Sequence, residues 1–414
     1  MKTIALRGIK RGVNRFPSGI WLMTGLDLLM TVGWSLASPF LALYLHDERG
    51  LSMSLVGTVF LVGGLCSGAT SLIGGMLTDR FGRRRLLVVT SGLGALASAA
   101  MALLVGASAP VWLIAFLFIA SRSIGGTGGP TLGAIIADLS PKDRLAESYA
   151  VVRTGGNLGF AIGPALGGLL IGHWSYGWLF GIAAAVGAAV TLLVYFFLPE
   201  SYSGSKTRVD FRSTLAVAGD SRFLIFTIAS ILLVLSIGHL GSTMSVFTVD
   251  RLGFTKAQYG LLLTANGILV MLFQYPVTRL VGNLTRSRGL ILGSLFYVVG
   301  YFSLGWVGTF GLALLSIVLI TAGEVTGSPI SSAVVAESAP ADKRGRYMGF
   351  FNLTQTLGMA LSPLFGGALL DRFPNEPRLI WGTIASVGIM AAIVFHIWGR
   401  MTGKSRHMSQ GGTP

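Results

Sequence analysis

The chain has 414 residues, 52% of them hydrophobic and only 11% charged, with a formal net charge of +15. Soluble domains carry about 25% charge, so this composition excludes a water-soluble globule and specifies a polytopic membrane protein. The single cysteine, Cys66, excludes an internal disulfide and a cysteine-based metal site.

In chain order, the segment Met1–Phe16 is basic and is not followed by a small-residue cleavage site. It reads as a cytoplasmic tail, and the first apolar run as a retained helix rather than a signal peptide. Crossing the hydrocarbon takes about 20 apolar residues. Twelve such runs follow, over 17–45, 53–78, 86–106, 110–138, 145–171, 176–198, 222–249, 256–280, 289–308, 311–337, 345–370 and 378–400. The ninth and tenth are separated only by Thr309 and Phe310. The segment from Pro199 to Ser221 is polar and rich in Ser, Gly and charge. It predicts a linker between two six-helix bundles, 1–198 and 222–414, in an all-α fold. With the N-terminus inside, most Lys and Arg residues fall in inside segments, among them Arg80, Arg83, Arg84, Arg85, Arg286, Lys343 and Arg400. The outside holds Arg49, Arg251, Lys256, Arg372 and Arg378. This asymmetry puts both termini in the cytoplasm and assigns the excess charge to topology and anionic lipid rather than to nucleic acid.

The densest signal lies between the second and third runs, Gly75-Met76-Leu77-Thr78-Asp79-Arg80-Phe81-Gly82-Arg83-Arg84-Arg85. Gly75 permits a close backbone approach and Gly82 an unusual turn. As a bare charge pattern it is a polybasic loop that orients the chain. As a motif, Gly-x-Leu-x-Asp-Arg-x-Gly-Arg-Arg resembles the loop signature of the major facilitator superfamily, where it acts as a conformational latch. The resemblance extends over the membrane portion and implies the two-bundle fold. It assigns the latch to Gly75, Asp79, Arg80, Gly82, Arg83 and Asp138, the acid at the end of the fourth helix. It also turns Asp79 toward the start of the eleventh helix, whose dipole is positive there. The matching loop of the second half, Arg279-Leu280-Val281-Gly282-Asn283, lacks the core of the pattern, so the latch is expected on one side only.

The halves also repeat internally. Ile135-Ile136-Ala137-Asp138-Leu139-Ser140-Pro141 matches Val334-Val335-Ala336-Glu337-Ser338-Ala339-Pro340 at an offset of 199 residues. Parallel repeats of this kind are a transporter arrangement, with the site at their interface near mid-membrane.

An ionisable side chain at mid-membrane costs several kcal/mol unless it faces water or a partner. Asp27, Arg122 and Glu324 each lie deep within their apolar runs, and are expected to share one cavity. Arg122 opens Arg122-Ser123-Ile124-Gly125-Gly126, similar to the fourth-helix motif of proton-coupled facilitators. That resemblance implies that it tunes protonation of a nearby carboxylate. A structural arginine bonded to helix carbonyls is the alternative. Asp27 and Glu324 are the candidate proton carriers, although Thr24 and Thr31 could simply satisfy Asp27.

On the fifth helix, Gly159, Gly163, Pro164, Gly167 and Gly168 are spaced for close helix packing and a proline bend. The run resembles the antiporter motif of drug–proton exchangers, which favours export. Trp34, Tyr44, Phe247, Gln274, Tyr275, Asn352 and Gln355 are candidate linings for an amphiphilic pocket. No phosphate loop, His-x-x-x-His spacing or Gly-x-Ser-x-Gly elbow is present, so neither enzyme chemistry, metal nor cofactor is expected, the proton gradient supplying the energy. The reading is a monomeric, multi-pass exporter in a bacterial or archaeal plasma membrane. It would exchange protons for small lipophilic compounds, cations among them. A sugar, organic-anion or metabolite carrier is the alternative, ahead of a lipid flippase or non-transporting sensor.

Overall fold

The computed structural model describes residues 16–141, 144–200, 216–340 and 343–410. Every regular element among them is helical. Twelve helices are long and apolar enough to cross a membrane: α1 Ser18–Glu48, α2 Met53–Thr78, α3 Arg83–Gly106, α4 Val111–Leu139, α5 Glu147–Ile171, α6 Tyr176–Phe197, α7 Ser221–Arg251, α8 Lys256–Val281, α9 Arg286–Leu304, α10 Phe310–Ser338, α11 Gly345–Arg372 and α12 Pro377–Thr402. They answer one for one to the twelve apolar runs.

The helix starts carry their own stop signals for the orphan N–H groups. Asp220 accepts from the backbone of Arg222 and Phe223, both at 3.1 Å, at the head of α7. Thr255 and Gln258 form a reciprocal capping box on α8, with bonds of 2.8 and 3.1 Å. Thr309, in the thinnest gap between predicted helices, caps α10 through Leu312 N–H at 3.4 Å. The expected linker falls outside the described residues over 201–215.

By packing, the chain divides into two compact units, Met1–Ala37 with Ala69–Val209, and Ser38–Gly68 with Asp210–Pro414. The end of α1 and the first half of α2 therefore pack with the second unit, whereas the sequence cut placed them in the first bundle. In the first unit α3 lies along α6 and α4. Ile20, Met23, Leu26, Leu87, Ile135 and Val194 are buried in its core. In the second unit α9 lies against α10 and α12, and α7 against α11 and α12. The α3–α6 pairing thus recurs as α9–α12. Within this unit the start of α2 runs tightly along α11. A Cβ on Gly57 would clash with the Cα of Leu364, and one on Gly64 would lie 2.6 Å from the Cβ of Ala360. Glycine is what lets these two backbones approach.

Candidate functional site

In the first unit the site begins with the contact of α1 and α5. An ideal Cβ on Gly155 would clash with Thr24 O, and one on Gly159 would lie 2.6 Å from Leu28 O. One on Gly163 would meet Ser35 Oγ. The antiporter-like run is therefore the face of α5 that α1 lies on. Ser35 Oγ reinforces it by donating to Gly159 O at 3.3 Å. Pro164 sits inside α5, and Gly167 and Gly168 are buried. This contact positions Asp27: a Cβ on Gly156 would lie 2.5 Å from its Oδ2, and the Gly156 backbone hydrogen-bonds the carboxylate. Thr24 does not satisfy Asp27; its hydroxyl donates to Ile20 O at 2.8 Å.

Asp27 also lines a cavity of about 520 Å³, together with Leu132, Ile136, Tyr149, Val152 and Arg153. The walls are apolar with three polar groups. That composition suits an amphiphile, and an acid facing space can exchange its proton. Tyr149 is held by donating to Gly133 O at 2.6 Å. Neither Tyr149 nor Arg153 is marked by a motif in the sequence. Arg122 lies in the same unit, half-buried on α4. No hydrogen bond or ion pair joins it to a described residue, neither to Asp27 nor to helix carbonyls.

The loop between α2 and α3 is organised by its second glycine. Gly82 has φ +89°, which an L side chain rarely adopts. A Cβ there would also lie 2.8 Å from Glu200 Oε2. Glu200 accepts from the backbone N–H groups of Arg83 at 2.9 Å and Arg84 at 3.3 Å, an anion at the positive end of α3. This freezes the turn and turns Arg83 inward, where its guanidinium pairs with Asp138 and donates to Ala134 O at 3.2 Å. Two of the expected latch residues thus meet. Glu200 escaped the sequence reading because it sits at the far end of α6. The side chain of Asp79 lies outside the described residues. Arg80 is exposed, its guanidinium 5.4 Å from the centre of the Phe81 ring. Gly75 lies in the helix before the loop. The neighbouring Gly74 carries a close approach, a Cβ there lying 2.9 Å from Thr127 Cα.

In the second unit Glu324 is anchored from α8. Asn266, only 3% exposed, donates through Nδ2 to Glu324 Oε2 at 3.1 Å and to Thr321 Oγ1 at 2.9 Å. The buried rings of Tyr297 and Tyr301 lie near Glu324. Beyond them His239, in a short 3-10 break of α7, bonds Thr243 Oγ1 through Nδ1 at 3.0 Å.

The expected pocket linings differ in their surroundings, each within its own unit. Gln274 donates to Val325 O at 3.1 Å, on the helix that carries Glu324. Trp34 is 47% exposed and stacks on Phe160 at 6.4 Å. Tyr275 is 75% exposed, Asn352 is exposed and Gln355 is half-buried. Tyr44 and Phe247 are buried in packing: Tyr44 accepts from Arg49 Nη1 at 3.0 Å, and Phe247 lies edge-on to Trp381 at 5.2 Å.

Twelve membrane-length helices with acids seated inside them define a multi-pass transporter. The major facilitator superfamily profile matches residues 25–255 and 226–412, and the chain belongs to that family. It is 26% identical over 357 residues to an uncharacterized MFS-type transporter, YttB of Bacillus subtilis, covering 85% of this chain and 88% of that one. It is 25% identical to the multidrug resistance protein MdtH of Proteus mirabilis, covering 89% of this chain and 92% of that one. A POT family transporter crystallised with a thioalcohol-conjugated peptide superimposes with a TM-score of 0.79 at 15% identity, over 93% of this chain and 96% of that chain.

Proposed function

We propose that the chain is a proton-coupled exporter of small lipophilic compounds, cations among them, working by alternating access in a bacterial plasma membrane. The observation that carries this reading is Asp27, an intramembrane carboxyl lining a mostly apolar cavity. Such a carboxyl binds a proton or a cation, and each displaces the other. Glu324, held by Asn266, is the equivalent acid of the second unit. The Arg83–Asp138 pair is the latch that favours one state and opens as the cycle turns. The name of the relative MdtH, a multidrug resistance protein, supports the same reading.

The test is a proton-flux screen on purified protein in liposomes under an imposed pH gradient. Lipophilic cations should drive proton movement, and Asp27→Asn should abolish it. A panel in which only sugars or organic anions move protons would overturn export of cations. That result would favour the second reading, a metabolite or anion carrier, for which Arg153 in the wall of the Asp27 cavity offers the binding charge.

A further inference from the structure

The ends of α1 and α7 are built alike. Each finishes in a single π turn, Tyr44–Glu48 and Phe247–Arg251. Each is followed by a glycine of positive φ, Gly50 at +67° and Gly253 at +69°. Single π turns of this kind are rare and concentrate at functional sites. Here both lie in the second packing unit. They bring together His46 and Asp47 from α1 and Asp250 from α7, with one ligand atom of each within 4.8 Å of the others.

The imidazole is pre-set. His46 Nδ1 lies 2.7 Å from Leu51 O. A carbonyl oxygen only accepts, so Nδ1 carries the hydrogen. In the neutral ring Nε2 then presents a lone pair, and it points at Asp250 Oδ2 from 3.3 Å. Asp47 lies within hydrogen-bonding reach of Asp250 as well. One imidazole lone pair and two carboxylates converge, and that arrangement is repulsive unless a positive centre sits among them. Of the neighbouring cations, Arg49 bonds the Tyr44 hydroxyl at 3.0 Å, Lys256 lies 3.7 Å from Glu48 and also acts on Asp47, and Arg251 acts on Asp250.

We propose that His46, Asp47 and Asp250 form a divalent transition-metal site that ties the end of α1 to the end of α7. A nitrogen and two carboxylate oxygens, with a backbone carbonyl orienting the imidazole from behind, is a donor set suited to Zn²⁺. A fourth position stays open to water. Both aspartates are exposed, so an ion reaches them from the surface. The cluster is invisible to motif spacing because its members come from α1 and α7. It departs from the expectation of no metal, which rested on the lone cysteine and the absent His-x-x-x-His pattern.

The experiment is equilibrium dialysis of the purified, tag-free full chain against ZnCl₂ at neutral pH. It needs no transport assay, so its outcome is independent of the exporter reading. The expected result is one Zn²⁺ per chain, with affinity at least tenfold weaker in His46→Ala and in Asp250→Asn. Co²⁺ should give the visible absorption of a low-coordinate site in the wild type and lose it in His46→Asn, which keeps size and polarity. Absence of stoichiometric Zn²⁺ in the wild type would overturn the site and leave a proton as the positive centre. Binding that persists unchanged in well-folded His46→Ala and Asp250→Asn proteins would overturn it equally.

Discussion

Asp371, at the end of α11, grips Ser54, at the start of α2: its Oδ2 accepts from the Ser54 amide at 2.7 Å and from the Ser54 hydroxyl at 2.6 Å. Its Oδ1 takes the Met53 amide at 2.9 Å. A carboxylate supplied by a distant helix thus does the work of a local N-cap. Asp371→Ala should lower thermal stability by about 1 kcal/mol, as loss of a helix cap does. Asp371→Asn, which keeps one acceptor oxygen, should fall between. Melting by intrinsic fluorescence in detergent measures this; an Asp371→Ala protein melting with the wild type would show that α2 needs no such cap.

The Arg83–Asp138 pair is shielded on both sides, with side chains only 12% and 24% exposed. Arg83→Gln and Asp138→Asn should each reduce transport. Together they should cost little more than either alone, because residues of one pair are non-additive. Full additivity in a double-mutant cycle of transport rates would dissolve the latch as a unit. Reactivity of a cysteine placed at Leu132, in the Asp27 cavity, should change in both single variants.

Gly163→Ala places its methyl against Ser35, with Ser35 Cβ 3.1 Å away and Leu36 N 3.0 Å away. Overpacking of this kind costs roughly 1–3 kcal/mol. Adding Ser35→Gly should recover part of the loss. Gly25→Ala, with nothing within 4 Å of the added Cβ, should cost nothing, since alanine is the better helix former. Equal stability of Gly163→Ala and Gly25→Ala proteins would refute the close α1–α5 contact.

Asn266→Leu removes the donor shared by Glu324 and Thr321. A hydrogen bond to a charged group contributes about 1.5–3 kcal/mol, so transport should fall by roughly tenfold or more. Asn266→Gln should restore part of it. Wild-type proton-coupled rates in a folded Asn266→Leu protein would detach Asn266 from the cycle.

Arg122 has no side-chain bond to a described residue, so Arg122→Ala should melt close to the wild type while active transport is abolished. Transport and size-exclusion profile, measured on the same preparation, separate the two effects. Active pumping by that variant would remove Arg122 from the mechanism.

Composition and periodicity alone determined the helical class and the count of spans. Apolar run length depends only on bilayer thickness, and the helix satisfies its own backbone. The Gly82 turn, the Arg83–Asp138 pairing and the small-residue face of α5 were also legible, because each is written as a local pattern that resembles a known one. What only the tertiary structure decided is which distant side chains meet: Glu200 at the head of α3, Asn266 on Glu324, Asp371 on α2, Tyr149 and Arg153 beside Asp27, and His46 against Asp250. The same holds for the placing of Ser38–Gly68 with the second unit. Hydropathy says that a helix is buried in the membrane but not how far it is rotated about its axis. That rotation is set by close packing against neighbours far away in the chain, where a glycine on one helix admits the backbone of another.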